Sequence, residues 1–230
     1  MIKLVWHGHA NFQILTQDLS VIIDPWFEGN PSASCGIEGC ERVDLVLVTH
    51  DHFDHLGDTV EICKKYSSMV GAVVETALKL KEMGIPEDQI LNGIGFNIGG
   101  TLEFKGLKIT MVQAVHTTGS GCAVGYILVF DDGYCIYHAG DTGIFSSMEL
   151  FGQMFSIDLA LLPIGGVFTM DSKQAALACE LLKCKAVVPM HWGSFPILEN
   201  DTKMFEEELA KRNLECKLIS MSPGDVIDLR

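Results

Sequence analysis

Short apolar runs with strand spacing recur along the whole chain, punctuated by Gly, Pro, Asn and Asp. The pattern predicts strands at Ile2–His7, Asn11–Leu15, Ser20–Asp24, Asp44–Thr49 and Val70–Val74. Further strands are predicted at Leu102–Phe104, Leu107–Val112, Ala123–Phe130, Tyr134–His138, Asp158–Leu162, Ala186–Pro189 and Lys217–Ser220. Asp131-Asp132-Gly133 stands between two of these runs and has the chemistry of a hairpin turn. Helical spacing intervenes between the strands. Leu56, Val60 and Cys63 share one helical face, and Glu75–Met83 forms a second helix closed by Gly84 and Pro86. Ser146–Phe155 is a third. Asp171 or Ser172 caps a fourth, with Ala175, Ala178, Cys179 and Leu182 on its buried face. Asp201–Arg212 is the last, turning Phe205 and Leu209 inward.

The order is strand-rich first and mixed later, with no long linker, low-complexity tract or sequence repeat. These features predict a single domain over residues 1–230, a layered α/β arrangement with two sheets and helices outside them. Trp26–Glu41 is the longest stretch without periodicity, and loops of that length in compact domains are often functional.

Composition narrows the class. Apolar residues make up 48% of the 230 and charged residues 20%, which is core-forming material rather than a disordered chain. Thirty acidic residues against sixteen basic ones leave a formal charge of −14. That balance argues against a nucleic-acid partner, whose phosphates call for Lys and Arg, and against a basic membrane-surface helix. No run approaches the roughly eighteen apolar residues of a membrane span, and the start reads as a strand too short for a signal peptide. The expectation is a cytoplasmic protein with a small-molecule substrate, no nucleic-acid or membrane partner, and an apolar content compatible with a homo-oligomer. None of the eight cysteines forms a C-x-x-C pair; Cys35–Cys40 and Cys179–Cys184 are the closest spacings. Buried reduced thiols are the expected state, with a Cys35–Cys40 clip as the lesser alternative.

Chemistry is concentrated where the strand Asp44–Thr49 ends. His50-Asp51-His52-Phe53-Asp54-His55 places three histidines and two aspartates within six residues. His50 and His52 project to one side of an extended chain, whereas Asp54 and His55 follow as it turns into a helix. Such a segment offers ligands to one metal and to a neighbour, and imidazole with carboxylate suits zinc, iron, manganese or nickel. His116, His138 with Asp141, His191 and Asp24 each lie just past an apolar run. Sites in layered α/β proteins gather at such strand ends. A lone histidine there is usually a hydrogen-bonded structural one, but strand packing does not ask for the density found at residues 50–55.

His50-Asp-His52-Phe-Asp54-His55 resembles the His-x-His-x-Asp-His signature of the metallo-β-lactamase superfamily, and His116, Gly140-Asp141-Thr142 and His191 follow in the family's order. Further stretches resemble the metal-dependent hydrolase branch related to ascorbate-6-phosphate lactonase. These are Trp6-His7-Gly8-His9, Ile23-Asp24-Pro25, Tyr137-His138-Ala139-Gly140, Phe168-Thr169-Met170 and Pro189-Met190-His191-Trp192-Gly193. Val167 stands where that branch usually has a histidine after Gly165-Gly166. The resemblance implies a four-layer αββα sandwich with two mixed sheets. It also implies two divalent ions, zinc by preference with manganese, iron or nickel as alternatives. His50, His52 and His116 would hold the first, Asp54, His55 and His191 the second, and Asp141 would bridge both.

The implied activity is metal-dependent hydrolysis of a small ester, lactone, amide or phosphodiester by a metal-bridged hydroxide, with a metal stabilising the developing oxyanion. Asp54 would orient the hydroxide and receive its proton. His138 is a candidate general acid, with a buried hydrogen-bonded role as its alternative. His9, Asp24 and Thr169 are candidates for orienting ligands or touching substrate; His7 is expected to be structural. Trp26, Phe27, Phe168, Trp192 and Phe195 either wall a pocket or merely pack. An RNA-processing nuclease of the same superfamily and a non-catalytic metal- or ligand-binding protein are the competing readings.

Overall fold

The computed structural model describes residues Met1–Leu229. The chain forms two compact units, each built on one mixed sheet. The first unit contains residues 1–98, residues 117–122 and the segment from Met221 onward; the second contains Gly99–His116 and Ala123–Ser220. The α/β class and the two mixed sheets with helices are as the sequence predicts.

In the first unit, strands β1 (Lys3–Gly8), β2 (Asn11–Leu15) and β3 (Ser20–Ile23) form an antiparallel meander. Strands β4 (Leu45–Leu47) and β5 (Met69–Gly71) extend it in parallel beside β3. β3 and β4 are buried along their whole length and are uniformly apolar apart from Ser20, the composition expected of parallel strands covered on both faces. The helical face read at Leu56, Val60 and Cys63 is split. Helix α1 (Phe53–Leu56) stops at Gly57, whose φ is +42°, and α2 (Thr59–Tyr66) restarts after it. The strand predicted at Val70–Val74 ends early because α3 (Val74–Glu82) begins there. Ile22, Val46, Val48, Ile62, Cys63, Val70, Ala77 and Leu80 lie in one buried cluster. Each large aliphatic side chain so buried contributes on the order of 2 kcal/mol.

The second unit repeats that plan. Strands β6 (Thr101–Phe104), β7 (Leu107–Gln113), β8 (Val124–Val129) and β9 (Cys135–His138) run antiparallel in sequence order. β10 (Leu159–Pro163), β11 (Ala186–Met190) and β12 (Lys217–Leu218) then continue in parallel. The Asp131-Asp132-Gly133 hairpin joins β8 to β9, with the Gly133 N–H donating to the Phe130 carbonyl at 2.8 Å. Helices α4 (Met148–Met154), α5 (Ser172–Leu182) and α6 (Lys203–Arg212) complete the unit. Asp171 caps α5 by accepting from the Gln174 N–H at 2.8 Å, and Ala175, Ala178, Cys179 and Leu182 are buried as predicted.

One strand escaped the sequence pattern. β13 (Val226–Asp228) pairs antiparallel with β1 at the edge of the first sheet. Only Ile227 of its three residues is even partly covered, so it carries no apolar signature. Among the described residues, no helix is long and apolar enough to cross a membrane.

Candidate metal centre

In the first unit the candidate residues lie beyond the ends of β1, β3 and β4. Gly8 (φ +111°) and His9 (φ +55°) make the tight turn into β2. A Cβ on Gly8 would come within 2.7 Å of the Ser32 carbonyl oxygen, so the turn needs glycine. His9 is fully buried, and its Nε2 lies 3.3 Å from Asp54 Oδ2. Asp24, also fully buried, adopts φ +49° directly after β3. One of its oxygens accepts the Thr49 N–H at 2.8 Å; the other accepts the Thr49 hydroxyl at 2.6 Å and His55 Nδ1 at 2.7 Å. A His55 that donates from Nδ1 to a carboxylate keeps its lone pair on Nε2, the tautomer a metal requires.

His50 and His52 follow β4, His52 with extended backbone, and their rings meet with centroids 4.5 Å apart. His50 Nε2 and His52 Nδ1 are 3.0 Å apart, and His50 Nδ1 sits 3.1 Å from the Thr49 hydroxyl. His52 is the residue before α1, so Asp54 and His55 fall in that helix's single turn. His9, Asp54 and His55 each bring one ligand atom to within 4.8 Å of the others. The loop after Asp24 is strapped to the same motif. A Cβ on Gly57 would meet the Pro25 carbonyl oxygen at 2.5 Å, and the Asp58 carboxylate accepts the Phe27 and Glu28 N–H groups at 2.7 and 3.1 Å.

Asp51, the aspartate of the motif with no role assigned from sequence, faces another task. It is buried and accepts from Lys79 Nζ at 2.7 Å, the Thr118 hydroxyl at 2.7 Å, the Gly119 N–H at 2.6 Å and the Ser120 hydroxyl at 2.8 Å. Burial pushes its carboxyl upward, but the Lys79 ammonium and these donors outweigh that and hold it well below the usual range. Asp51 thereby ties residues 117–122 to the motif strand. Its signal in sequence was only its place between two ligand candidates; its partners lie far along the chain.

In the second unit, His116, Asp141 and His191 come together from three separate strand ends. His191 Nε2 lies 3.0 Å and His116 Nε2 3.6 Å from the same oxygen, Asp141 Oδ2. Asp141 and His191 are buried. Thr142 holds the arrangement: its hydroxyl accepts the Val115 N–H at 2.9 Å and donates to the Gly143 carbonyl at 2.6 Å. His191 has φ +58°, and a Cβ on Gly165 would collide with its carbonyl oxygen. His138 ends β9, fully buried, with Nδ1 accepting the Gly140 N–H at 3.1 Å. Thr169 lies in the turn 166–170, its hydroxyl 3.4 Å from the Met170 carbonyl. Val167 takes φ +51° in that turn, costly for a β-branched residue.

Other sequence candidates divide. His7 is a structural histidine, its Nε2 3.1 Å from the Gln13 side-chain oxygen and its pKa lowered by burial. Trp26 and Phe27 are buried; Trp26 Nε1 donates to the Glu28 carbonyl at 2.8 Å, and Phe27 packs on the His7 ring. Phe168 is exposed, as is Phe53 at the start of α1. Cys35 and Cys40 are free thiols.

The donors in both units are imidazole nitrogens and carboxylate oxygens, buried or half-buried and convergent, with the Nε2 atoms of two histidines aimed at a single carboxylate oxygen. That chemistry fits a divalent metal. A model of the beta-lactamase superfamily domain matches residues 20–192. A UPF0173 metal-dependent hydrolase of Nitratidesulfovibrio vulgaris is 55% identical over 227 residues, covering 99% of this chain and 95% of its own. One of Pyrobaculum islandicum is 41% identical over 229 residues, covering 98% and 99%. The structure of a novel metallo hydrolase from the archaeon Ignicoccus hospitalis superposes with a TM-score of 0.89 at 35% identity, covering 98% of this chain and 97% of that one. The chain belongs to the beta-lactamase superfamily and, within it, to the UPF0173 metal-dependent hydrolases.

Proposed function

We propose that this chain hydrolyses a small-molecule ester, lactone, amide or phosphodiester at a dinuclear metal centre. His50, His52 and His116 would hold one ion, Asp54, His55 and His191 the other, and Asp141 both; zinc is the ion best suited to this nitrogen and oxygen set. The observation that carries the reading is the approach of His116 and His191 to one oxygen of Asp141. Ions so held would supply a water of lowered pKa and a Lewis acid for the oxygen of the scissile bond.

The chain's own residues do the rest. Asp24 fixes the His55 tautomer through Nδ1. Asp54, with one oxygen 3.3 Å from His9 Nε2, accepts the proton of the attacking water, and His9 keeps that carboxylate oriented. His138 holds the Gly140 turn from which Asp141 projects, and so acts as a positioning residue. Thr169 contributes through the turn it occupies, beside exposed Phe168. The charge of −14 disfavours RNA, and eight free cysteines agree with a reducing, cytoplasmic setting.

The test is elemental analysis of freshly purified protein followed by a panel of lactones, esters, amides, phosphodiesters and RNA. Asp141→Ala is expected to lose bound metal and to lower turnover more than about a hundredfold. Unchanged metal content and turnover in that variant would sink the reading. Salt-dependent RNA cleavage would favour a nuclease, and full metal loading with no turnover on the panel a ligand sensor.

A further inference from the structure

Three of the eight cysteines converge in the second unit without belonging to the histidine and aspartate set. Cys179 sits near the end of α5, on its buried face. Lys183 ends that helix at φ +50°, and the chain then passes through Cys184 into β11. Cys216 immediately precedes β12, which pairs in parallel with β11 so that Ala186 lies opposite Lys217. The helix end and the strand register thus bring three thiols to one point. Cys184 Sγ is 3.5 Å from Cys216 Sγ, and the three sulfurs lie within 4.8 Å of one another. Cys179 and Cys184 are buried, whereas Cys216 is partly exposed at a cleft of about 280 Å³ that all three line together with Glu180, Lys183 and Glu215.

We propose that Cys179, Cys184 and Cys216 form a separate metal site for a thiophilic cation of the Cu(I) or Zn(II) kind, held by three sulfurs and open to a fourth ligand from the cleft. Zinc–thiolate bonds of about 2.3 Å place the sulfurs of a tetrahedral site about 3.8 Å apart, so the cluster needs only small rotamer adjustments to close on an ion. All-sulfur donors select soft ions, which separates this site from the imidazole and carboxylate set. The cleft gives the entry path, lined by Lys183 and Lys185 as well as Glu180 and Glu215.

The experiment uses reduced protein with its histidine site loaded with zinc, titrated anaerobically with Cd(II) while the sulfur-to-cadmium charge-transfer absorption is read. One equivalent is expected to saturate the band. Cys216→Ser, at the partly exposed position, is expected to weaken Cd(II) binding by more than about tenfold with hydrolysis unaffected. Cys135→Ser, outside the cluster, should leave the titration unchanged. Cys179→Ser is the harsher variant because Cys179 packs inside α5, so folding is checked by circular dichroism. No band in the wild type, or a full band in Cys216→Ser, overturns the proposal. So does a Cys184–Cys216 disulfide formed in air by a protein that takes up no Cd(II) when reduced, which would make the pair a redox couple.

Discussion

The two units follow one plan and encode their metal ligands differently. Each sheet is an antiparallel meander continued by parallel strands, and in each the candidate ligands sit at strand ends. In the first unit, four of the seven ligand candidates fall in one stretch, His50–His55, set by a single strand-to-helix turn. In the second, His116, Asp141 and His191 follow three different strands, and nothing local aims them at one another. The first unit orients its ligands by side-chain contacts such as Asp24 to His55, the second by backbone contacts, through Thr142 and the close pass of Gly165. A ligand set can therefore be built by local sequence or by sheet register, and each route has its own point of failure.

The contrast breaks most visibly at the residues that orient ligands. Asp24→Asn keeps the shape of the side chain but weakens its hold on His55, and is expected to cost ten- to a hundredfold in metal affinity. Thr142→Val removes the hydroxyl that accepts the Val115 N–H and donates to the Gly143 carbonyl, at about 1–2 kcal/mol, and should lower stability with metal affinity nearly unchanged. Competition with a chelator checks the first and thermal denaturation the second. Equal losses of affinity would show that both units orient ligands in the same way.

Glycines sharpen the comparison at the level of stability. Gly57→Ala must hold φ +42° and press a methyl on the Pro25 carbonyl, while Gly165→Ala drives one into the His191 carbonyl. Each is expected to cost about 1–3 kcal/mol, which at this length lowers Tm by about 2–12 °C. Measured in metal-free protein, the two losses should be similar. With zinc restored, Gly165→Ala should recover less, because the strained backbone is that of a proposed ligand. Full recovery in both variants would remove the distinction.

The same division explains what the sequence made legible. The strands of both sheets followed from alternating or continuous apolar runs, since burial dictates both. β13 did not, because an exposed edge strand of three residues buries too little to leave a pattern. The break at Gly57 was hidden because Leu56, Val60 and Cys63 keep helical spacing across it; its cause is the Pro25 loop, distant in sequence. In the site, the His50–His55 cluster was visible from density alone. His116, Asp141 and His191 acquired roles only through resemblance, because register between strands is a tertiary fact. Cys179 and Cys184 stood out only as a close spacing among buried thiols, and Cys216 joins them by strand register, for the same reason.

Asp51 tests the smallest difference, since it lies inside the visible motif yet works through tertiary contacts alone. Its carboxylate gathers Lys79, Thr118, Gly119 and Ser120, all within the first unit. Asp51→Asn removes the charge while keeping an acceptor, so part of this net survives. Lys79 is partly exposed and can be hydrated, which limits the cost to about 1–2 kcal/mol, or roughly 2–8 °C in Tm. Hydrogen exchange at residues 117–122 should quicken while metal content stays unchanged, because Asp51 points away from the ligands on either side of it. Loss of metal in this variant would mean that the two functions of the motif are coupled through its backbone. The first unit would then depend on distant contacts as much as the second does.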